Sequence, residues 1–171
     1  DEVKIYNRAL SSEEIFDEYA FSNGTYDQKN NGLISYWNMD ETSGSSVKDS
    51  IGINNGTATG TTIVDGKVNK GRSFNGTSDY ITLPSGFSDF TKGLTISLWA
   101  DPTSNASNAR FIDFGEVSGS SSTNIYFVRV TTGNNLRLKI GNGTSYFTLD
   151  AADALLNNEW HLYTGTVDAS G

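Results

Sequence analysis

The distribution of apolar and polar residues predicts short β-strands along most of the chain. The clearest case is residues 136–140, where Leu136, Leu138 and Ile140 alternate with Arg137 and Lys139. Alternation with a period of two places the apolar side chains on a buried face and the basic side chains on a solvated face. Comparable strand patterns occur at residues 1–7, 33–39, 79–83, 94–100, 109–115, 125–131, 146–149 and 160–167.

Turn signals separate the predicted strands. Asn-Gly and Asp-Gly pairs, which favour tight hairpins, fall between these segments. Many short strands at this spacing predict an antiparallel sandwich or barrel. Because no long helical period interrupts them, a doubly wound α/β fold is disfavoured.

One short helix is expected near the N-terminus. Ser11 and Glu14 match the capping box, in which each side chain accepts a hydrogen bond from the other residue's backbone N–H. The pattern predicts a helix over residues 11–20 with Ile15, Phe16 and Tyr19 as its apolar contacts. Residues 21–31 are polar and contain Asn and Gly, which is typical of a linker.

Composition excludes several classes of function. The 171 residues correspond to about one domain. With 12 basic and 20 acidic residues the net charge is −8, which repels phosphate groups, so nucleic acid is not an expected partner. The absence of Cys excludes disulfides, zinc–thiolate sites and a cysteine nucleophile. The single histidine, His161, excludes a histidine metal cluster and is expected to be packed or at the surface.

The chain also carries signals of its compartment. No apolar run approaches the roughly 18–20 residues that cross a bilayer, so no membrane span is expected in this chain. The low Lys content and the richness in Gly, Ser, Thr and Asn predict an extracellular or cell-surface protein.

Six segments in order carry a resemblance to a known family. They are residues 32–41 (GLISYWNMDE), 47–56 (VKDSIGINNG), 65–68 (DGKV), 72–81 (RSFNGTSDYI), 94–100 (LTISLWA) and 159–162 (EWHL). Together they resemble the concanavalin A-like, laminin G-like jelly-roll domains of microbial surface proteins. The resemblance implies an all-β fold, an antiparallel two-sheet jelly-roll sandwich, here with one short N-terminal helix.

The order of the segments along the chain is unusual for that family. Residues 1–11 (DEVKIYNRALS) resemble the last strand and trailing helix of such a domain, whereas residues 166–171 stop where the family continues into a further hairpin. The chain is therefore divided into residues 1–20 from a preceding repeat, a linker at 21–31, and a jelly roll at 32–171 that lacks its last strands.

Three explanations fit this order. The chain is a piece of a tandem array, a circular permutant whose first strand completes its own sheet, or a subunit that exchanges the strand with a neighbour. The missing hairpin argues against simple permutation. Since an incomplete jelly roll exposes an unpaired edge, we expect a neighbouring repeat or subunit to supply strands by strand complementation.

A structural Ca²⁺ site is one candidate for chemistry. The resemblance implies calcium near the loops after the first strand of the jelly roll, where oxygen donors are dense. Ca²⁺ takes six to eight oxygen ligands from flexible polar loops. The expected ligands are Asp40, Asp49, Asn54 and Asp1, with Glu41 and Asn55 beside them. The alternative is that Asp49 and Asn54 cap turns with their side chains.

Glycan binding is a second candidate. A sugar packs its C–H surface on an aromatic ring and hydrogen-bonds to a few polar groups. Trp37 and Trp160 lie on strands with apolar neighbours and are expected in the core. The residues that remain as candidate ligand contacts are Trp99, Tyr126 and Tyr146.

The sequence argues against catalysis. Jelly-roll glycosidases pair two carboxylates, usually in an E-x-D-x-x-E strand motif, and no such motif occurs here. The leading interpretation is a non-catalytic extracellular module for adhesion, binding or structure, one unit of a tandem or filament-forming surface protein. The alternative is an accessory carbohydrate-binding domain of a glycan-degrading enzyme.

Five N-glycosylation sequons are present. Their acceptor residues are Asn23, Asn55, Asn75, Asn105 and Asn142. Asn-Gly is also a favoured turn and Thr favours strands, so Asn-Gly-Thr arises readily in a β-fold without any glycan. Glycosylation is therefore a prediction for a surface-displayed protein.

Overall fold

The computed structural model describes residues 1–20, 32–85, 90–103, 106, 108–115, 124–130, 134–141 and 144–170. Within these residues the chain forms thirteen strands and one short helix. In chain order they are β1 (Val3–Tyr6), α1 (Ser12–Ala20), β2 (Leu33–Trp37), β3 (Ser46–Val47), β4 (Gly56–Thr59), β5 (Thr62–Asp65), β6 (Lys70–Ser73), β7 (Tyr80–Thr82), β8 (Gly93–Ala100), β9 (Arg110–Phe114), β10 (Ile125–Arg129), β11 (Leu136–Gly141), β12 (Tyr146–Ala151) and β13 (His161–Asp168). The predicted all-β class with a single short helix is confirmed.

Two four-stranded sheets dominate the fold. The β8 sheet has the order β13-β8-β1-β2, and the β10 sheet has the order β12-β11-β10-β9. Smaller sheets are formed by β3-β4-β7 and by β5-β6. The chain divides into a first unit, Asp1–Ala100 with Leu162–Gly171, and a second unit, Asp101–His161, which holds the β10 sheet.

Strand β8 is buried on both faces. Leu94, Ile96 and Leu98 point to one face, and the residues between them point to the other. Two of those are polar but have hydroxyl partners, since Thr95 Oγ1 lies 3.0 Å from Thr166 Oγ1 and Ser97 Oγ lies 3.0 Å from Thr164 Oγ1. A strand without charged residues thus becomes the centre of the sheet, with its polar groups satisfied.

Strand β1 lies between β2 and β8 in the same sheet. Ile5 is opposite Ser35 on one side and Ile96 on the other, and its side chain is fully buried. Residues 3–6 therefore lie in the same sheet as β2 and β8, and the division into residues 1–20, a linker at 21–31 and a jelly roll at 32–171 stays a prediction. The strand completes its own chain's sheet, the arrangement that the missing hairpin argued against, because its alternating Val3 and Ile5 fit that position. Its derivation from a preceding repeat stays a prediction.

Helix α1 begins at the predicted capping box. The Ser11 backbone N–H donates to Glu14 Oε2 at 2.9 Å, and the Glu14 N–H donates to Ser11 Oγ at 3.3 Å. Arg8 donates to both oxygens of the same carboxylate, at 2.9 and 2.6 Å. These contacts hold the pKa of Glu14 down at about 2, Arg8 being the main cause.

The contacts of α1 differ from those predicted. Ile15 packs against the core cluster of Tyr6, Leu10 and Leu33, as expected. Phe16 and Tyr19, however, are 65% and 58% exposed. The helix has only nine residues and turns its Glu18 toward the sheet, so too narrow a stripe is left to bury both rings.

The two tryptophans expected in the core, Trp37 and Trp160, differ in burial. Trp37 is buried, as are Leu33 on the same strand and Met39 just after it. The Trp37 indole N–H donates to the Asn54 carbonyl at 2.8 Å. Trp160 precedes β13 and is only half-buried, so its expected place in the core is wrong. Short strands β3 and β4 lie at the two ends of the resembling segment 47–56, and its first residue, Val47, is fully buried.

Candidate binding face of the β10 sheet

The β10 sheet separates an apolar face from a polar one. On the apolar face, Phe127 lies between Ile112 and Leu138 in register. On the other face, Tyr126 lies between Asp113 and Lys139, and Lys139 in turn is opposite Thr148. We call this second side the polar face. It carries the polar and aromatic side chains of Arg110, Asp113, Asn124, Tyr126, Arg137, Lys139, Tyr146, Thr148 and Asp150, together with Val128 between the two arginines.

The centre of the polar face is rigid and buried. Tyr126 is 7% and Asn124 is 8% exposed. The Asn124 side-chain amide donates to the Tyr126 hydroxyl at 2.6 Å. Asn124 directly precedes β10 and is two residues from Tyr126. Residues two apart on a strand share a face, so the Asn124 and Tyr126 side chains lie on the same side of the sheet. The Tyr126 ring is therefore buried and held by a hydrogen bond at the centre of the polar face.

Two cationic side chains cover the tyrosine rings. The Arg110 guanidinium lies 4.2 Å from the centroid of the Tyr126 ring. The Lys139 ammonium lies 3.6 Å from the centroid of Tyr146 and 5.7 Å from that of Tyr126. A cation at such distances is attracted by the negative face of the ring, with a gain of about 0.5–1 kcal/mol at exposed sites.

Both arginines of the polar face are paired with carboxylates. Arg110 forms an ion pair with Asp113. Arg137 donates to both oxygens of Asp150, at 2.5 and 2.6 Å. The hydrogen bonds from Arg137 lower the pKa of the Asp150 carboxyl, and those to Asp150 raise the pKa of the guanidinium. Each of these carboxylates is thus committed to an arginine rather than free as an acid or base.

Lys139 differs from the two arginines. Among the residues that the structure describes, its ammonium has the two tyrosine rings as neighbours and no carboxylate partner. An ammonium group has three N–H donors, and an aromatic ring satisfies none of them as an oxygen acceptor would. The group can therefore donate hydrogen bonds to an incoming oxygen atom.

Two of the three predicted ligand contacts come together here. Tyr126 and Tyr146 share Lys139 on the polar face. Trp99 lies on β8 in the first unit and is only 4% exposed. Its ring is stacked against Tyr19, with centroids 5.7 Å apart, and Lys67 covers it at 4.8 Å. Trp99 therefore has no open ring face to offer a ligand, and its predicted role is not supported.

Sequence reasoning did not select Arg110, Asn124 or Lys139 as candidate ligand contacts. Alternation assigned Lys139 to a solvated face, but its closeness to Tyr126 depends on the register between β10 and β11. A one-residue change of register would reverse the face that each side chain occupies. The alternation within each strand thus indicated which side chains share a face, but the sequence did not indicate which residues of neighbouring strands are paired.

The predicted calcium ligands fall into two groups. Around Asp49, Oδ1 accepts from the backbone N–H groups of Tyr36 and Ile51 at 3.0 and 3.3 Å, and Oδ2 accepts from that of Asn54 at 3.3 Å. The Asp49 N–H itself donates to Asn55 Oδ1 at 2.9 Å. Three of the roughly four lone pairs of the carboxylate are used. Asp49 therefore caps this loop with its side chain, which is the alternative that the sequence left open.

The second group holds the β5–β6 hairpin. Asp40 accepts from the Lys70 backbone N–H at 3.0 Å and from the Asn69 side chain at 3.2 Å. Asp1 Oδ2 accepts from the Val68 N–H at 2.9 Å, while its Oδ1 is buried without a hydrogen-bond partner. Glu41 accepts from the Lys48 N–H at 2.7 Å.

No cluster of three or more His, Cys, Asp or Glu suited to a metal occurs among the described residues. Most of the carboxylate oxygens described near the two loops accept from N–H groups, while Asp1 Oδ1 does not. A calcium ion held by Asp40, Asp49, Asn54 and Asp1 stays a prediction.

Two of the sequon asparagines can be placed. Asn55 and Asn75 are exposed. Asn75 Oδ1 accepts from the N–H groups of Thr77, Ser78 and Asp79 at 2.9, 2.9 and 3.2 Å, so its side chain forms the turn. Asn23, Asn105 and Asn142 lie outside the described residues. Glycosylation stays a prediction at all five.

His161 begins β13 at the surface. Its Nε2 lies 3.2 Å from a Glu159 carboxylate oxygen. Its side chain is 36% exposed and that of Glu159 is 67% exposed. This surface position is one of the two that were expected for the residue.

Within the described part of the chain, no helix is both long and apolar enough to cross a membrane. Helix α1 has nine residues, four of which are acidic.

Comparison with known proteins identifies the family. A family model, Laminin_G_3, described as the concanavalin A-like lectin/glucanases superfamily, matches residues 74–171. The matched segment covers more than half of the chain and includes the whole β10 sheet. The resembling segments at residues 32–41, 47–56 and 65–68 and the first two residues of 72–81 lie before the match, so their correspondence stays a prediction. No curated protein and no solved structure gave a match. The chain, with its antiparallel β-sandwich strands, belongs to the laminin G-like family of the concanavalin A-like lectin/glucanase superfamily.

Proposed function

We propose that this chain is a non-catalytic, extracellular carbohydrate-binding module that holds a glycan on the polar face. The observation that supports it is the group of Tyr126, Tyr146 and Lys139, in which the ammonium lies over the Tyr146 ring and near the Tyr126 ring and has no carboxylate partner among the residues that the structure describes. The predicted extracellular location rests on the composition.

The physical argument is that of sugar recognition. A pyranose ring presents a C–H surface that packs on an aromatic ring and hydroxyls that need planar or charged donors. Tyr146 is partly exposed at the edge of the polar face, and Tyr126 and Asn124 on the same face are buried and hydrogen-bonded to each other. Side chains that are already held in place lose little further entropy when a ligand binds.

The absence of catalysis is part of the proposal. A glycosidase needs one carboxylate free to act as an acid and a second as a base or nucleophile. On the polar face, Asp113 and Asp150 are each held by an arginine. Binding without hydrolysis is the outcome that such committed carboxylates favour.

Glycan-array binding followed by calorimetry tests the proposal. Tyr146→Ala is expected to weaken glycan binding about tenfold, since the packing of a sugar on one aromatic ring contributes about 1–1.5 kcal/mol. Phe147→Ala is the matched control, because Phe147 is the next residue, is 58% exposed and points to the opposite face. Equal losses in the two variants, or no binding across a broad array, would contradict a glycan site on the polar face.

We also propose that the module works in a tandem or filament-forming surface protein through strand complementation. The support is the position of β1, which is paired on both sides and contributes fully buried Ile5 to the β8 sheet. A segment at one end of the chain that is central to a sheet can be supplied equally well by a neighbouring repeat or subunit.

The alternative role is that of an accessory carbohydrate-binding domain of a glycan-degrading enzyme. The same polar face would then bind the enzyme's substrate. The two roles differ in what adjoins this chain in the full-length protein: further laminin G-like repeats in the first case and a catalytic domain in the second.

A further inference from the structure

We infer that Asn75 is a site of spontaneous covalent modification, at which the side-chain amide is lost as ammonia and the residue becomes aspartate or isoaspartate. The site lies in the turn between β6 and β7 of the first unit, so the inference is independent of the proposed glycan binding. It follows from the surroundings of the Asn75 amide and of the Gly76 backbone nitrogen.

The reaction joins these two neighbouring residues. The Gly76 nitrogen gives its proton to a solvent base and attacks Cγ of Asn75, and an electron pair of the C=O bond moves to Oδ1. When this intermediate collapses, the Cγ–Nδ2 bond breaks, and the nitrogen takes up a proton and leaves as ammonia. Water then opens the cyclic succinimide at either of its carbonyls, so the net change is the addition of water and the release of ammonia.

The side-chain oxygen of Asn75 lies where a negative charge is stabilised. Oδ1 accepts hydrogen bonds from the backbone N–H groups of Thr77, Ser78 and Asp79, at 2.9, 2.9 and 3.2 Å. Donors that are already directed at an oxygen bind it more strongly when it becomes an oxyanion, so they stabilise the transition state more than the starting amide. The contacts that form the turn therefore promote the attack.

The leaving nitrogen has a proton donor beside it. Asn75 Nδ2 donates a hydrogen bond to Ser78 Oγ at 3.0 Å. In the tetrahedral intermediate Nδ2 gains a lone pair, and the Ser78 hydroxyl can then rotate and protonate it as a general acid. The Ser78 hydroxyl regains its proton from solvent, because the residue is exposed.

The attacking nitrogen is accessible. Gly76 is exposed, and within the described part of the chain its N–H has no hydrogen-bond partner. A Cβ at Gly76 would meet no atom within 4 Å, so its surroundings are open. No hydrogen bond therefore has to be broken to free this nitrogen.

A second site in the same chain provides a comparison, because residues 55–57 repeat the Asn-Gly-Thr sequence of residues 75–77. Among the described residues, Asn55 Oδ1 accepts a single hydrogen bond, from the Asp49 N–H at 2.9 Å. Gly56 is buried in the paired strand β4, which restricts the rotation of its nitrogen toward the preceding side chain. The same reaction should be slower there.

Peptide mapping by mass spectrometry tests the inference. The protein, from a host without N-glycosylation, is incubated in mildly alkaline buffer, and conversion of amide to acid is followed at Asn75 and Asn55. Protein isoaspartyl methyltransferase detects the isoaspartate. We expect Asn75 to react at least about tenfold faster than Asn55 in the folded protein, because preorganised oxyanion donors commonly change a rate by this factor or more. In concentrated urea, where only the local sequence matters, the two rates should be similar.

Ser78→Ala should slow the reaction at Asn75 about fivefold or more, since it removes the general acid. Ser73→Ala is the matched control, because Ser73 is exposed on β6 and lies outside the turn. Thermal melting of both variants checks that they are folded. Equal rates at the two asparagines of the folded protein, or a slower reaction at Asn75, would mean that the hydrogen bonds protect the amide and would overturn the inference. An unchanged rate in Ser78→Ala would overturn the role given to its hydroxyl.

Discussion

Gly93 begins β8 where three segments of the first unit approach each other closely. Its φ is +115°, a backbone region that favours glycine. A Cβ at this position would lie 2.7 Å from the Val167 carbonyl oxygen and 3.0 Å from the Ala9 nitrogen. Both neighbours are backbone atoms and cannot rotate away, so the glycine allows the start of β8 to lie close to the end of β13, its neighbour in the sheet.

Gly93→Ala should destabilise the protein by about 2 kcal/mol or more, because positive φ and backbone overlap each cost about 1–3 kcal/mol. Urea denaturation of the purified variant measures the difference. Gly76→Ala is the control: Gly76 also has a positive φ, 73°, but a Cβ there meets no atom within 4 Å. Equal losses in the two variants would show that close approach does not matter at Gly93.

Asp49 is the residue on which the calcium prediction can be separated from loop capping. Asp49→Ala should cost about 1–3 kcal/mol by leaving buried N–H groups without an acceptor. Because the capping bonds need no metal, the loss should be the same in EDTA and in millimolar Ca²⁺. A loss that appears only with Ca²⁺, or a rise in the wild-type melting temperature on adding Ca²⁺ to EDTA-treated protein, would instead establish the metal site.

At the scale of the element, helix α1 is fastened to the β8 sheet by a buried polar cluster. Glu18 on the helix forms an ion pair with Lys4 on β1, and it accepts a hydrogen bond from the Tyr6 hydroxyl at 2.6 Å. The side chains of Lys4 and Glu18 are 11% and 5% exposed. On the neighbouring strand, Tyr36 donates to Glu2, whose pKa burial raises. Polar contacts of Glu18 with β1 thus attach α1 to the sheet, because the helix has little apolar surface with which to do so.

Glu18→Ala should cost about 3 kcal/mol or more, since it leaves the Lys4 ammonium buried without a partner. Lys4→Met added to that variant should recover part of the loss by removing the unpaired charge. Chemical denaturation of the two single variants and the double variant gives the coupling energy. If Lys4→Met lowers stability equally with and without Glu18, the ion pair does not hold the helix.

The hydrogen bonds that Glu14 accepts, first from Arg8 and then from the Ser11 N–H of the capping box, should make the stability of α1 depend on pH. The pKa of Glu14 is about 2 in the folded chain, against an ordinary 4.5. A lowered carboxyl pKa stabilises the folded state above pH 4.5, and this contribution disappears as the pH falls from 4.5 toward 2. Because the side chain is 35% exposed, we discount the effect to about 1 kcal/mol for solvent screening.

Glu14→Gln isolates that dependence. Its loss of stability relative to the wild type should be largest at pH 7 and should shrink toward zero near pH 2, as measured by denaturation at several pH values. Glu13→Gln, an exposed neighbour in the same turn, serves as the control and should show no such trend. A pH-independent loss in Glu14→Gln would contradict the charge-based cap.

At the scale of the whole molecule, the N-terminal segment is part of the first unit's core rather than an appendage. β1 pairs with β2 and β8, and α1 covers the cluster around Tyr6 and Leu33. Removing a central strand leaves two unpaired edges and an exposed apolar face, which favours aggregation or capture of another strand.

A chain that lacks residues 1–20 should therefore be insoluble or oligomeric, and a synthetic peptide of residues 1–20 added in trans should restore a soluble 1:1 complex. An Ile5→Asp peptide is the control, because it places a charge at a fully buried position. Light scattering and calorimetry measure both outcomes. A truncated chain that is monomeric and does not bind the peptide would contradict strand complementation.

Several local features followed from the sequence alone. The alternation at residues 136–140, the all-apolar or hydroxyl character of residues 94–100 and the capping box at Ser11 and Glu14 predicted β11, β8 and α1. These features depend on neighbours within a few residues, and the backbone geometry of strands and helix ends determines them. The family resemblance followed likewise from the order of short segments.

Pairing and burial were decided only in the tertiary structure. Tyr126 and Tyr146 could be named as aromatic residues, but their meeting at Lys139 required the register of β10, β11 and β12. Trp99 was covered by Tyr19 from a helix 80 residues earlier, and the Asp49 carboxylate accepts hydrogen bonds from backbone N–H groups of the loop that it caps. The local sequence pattern determines strand alternation and helix caps, because these depend on residues that are near in sequence. It does not determine which distant segments come into contact, because that depends on how the whole chain folds.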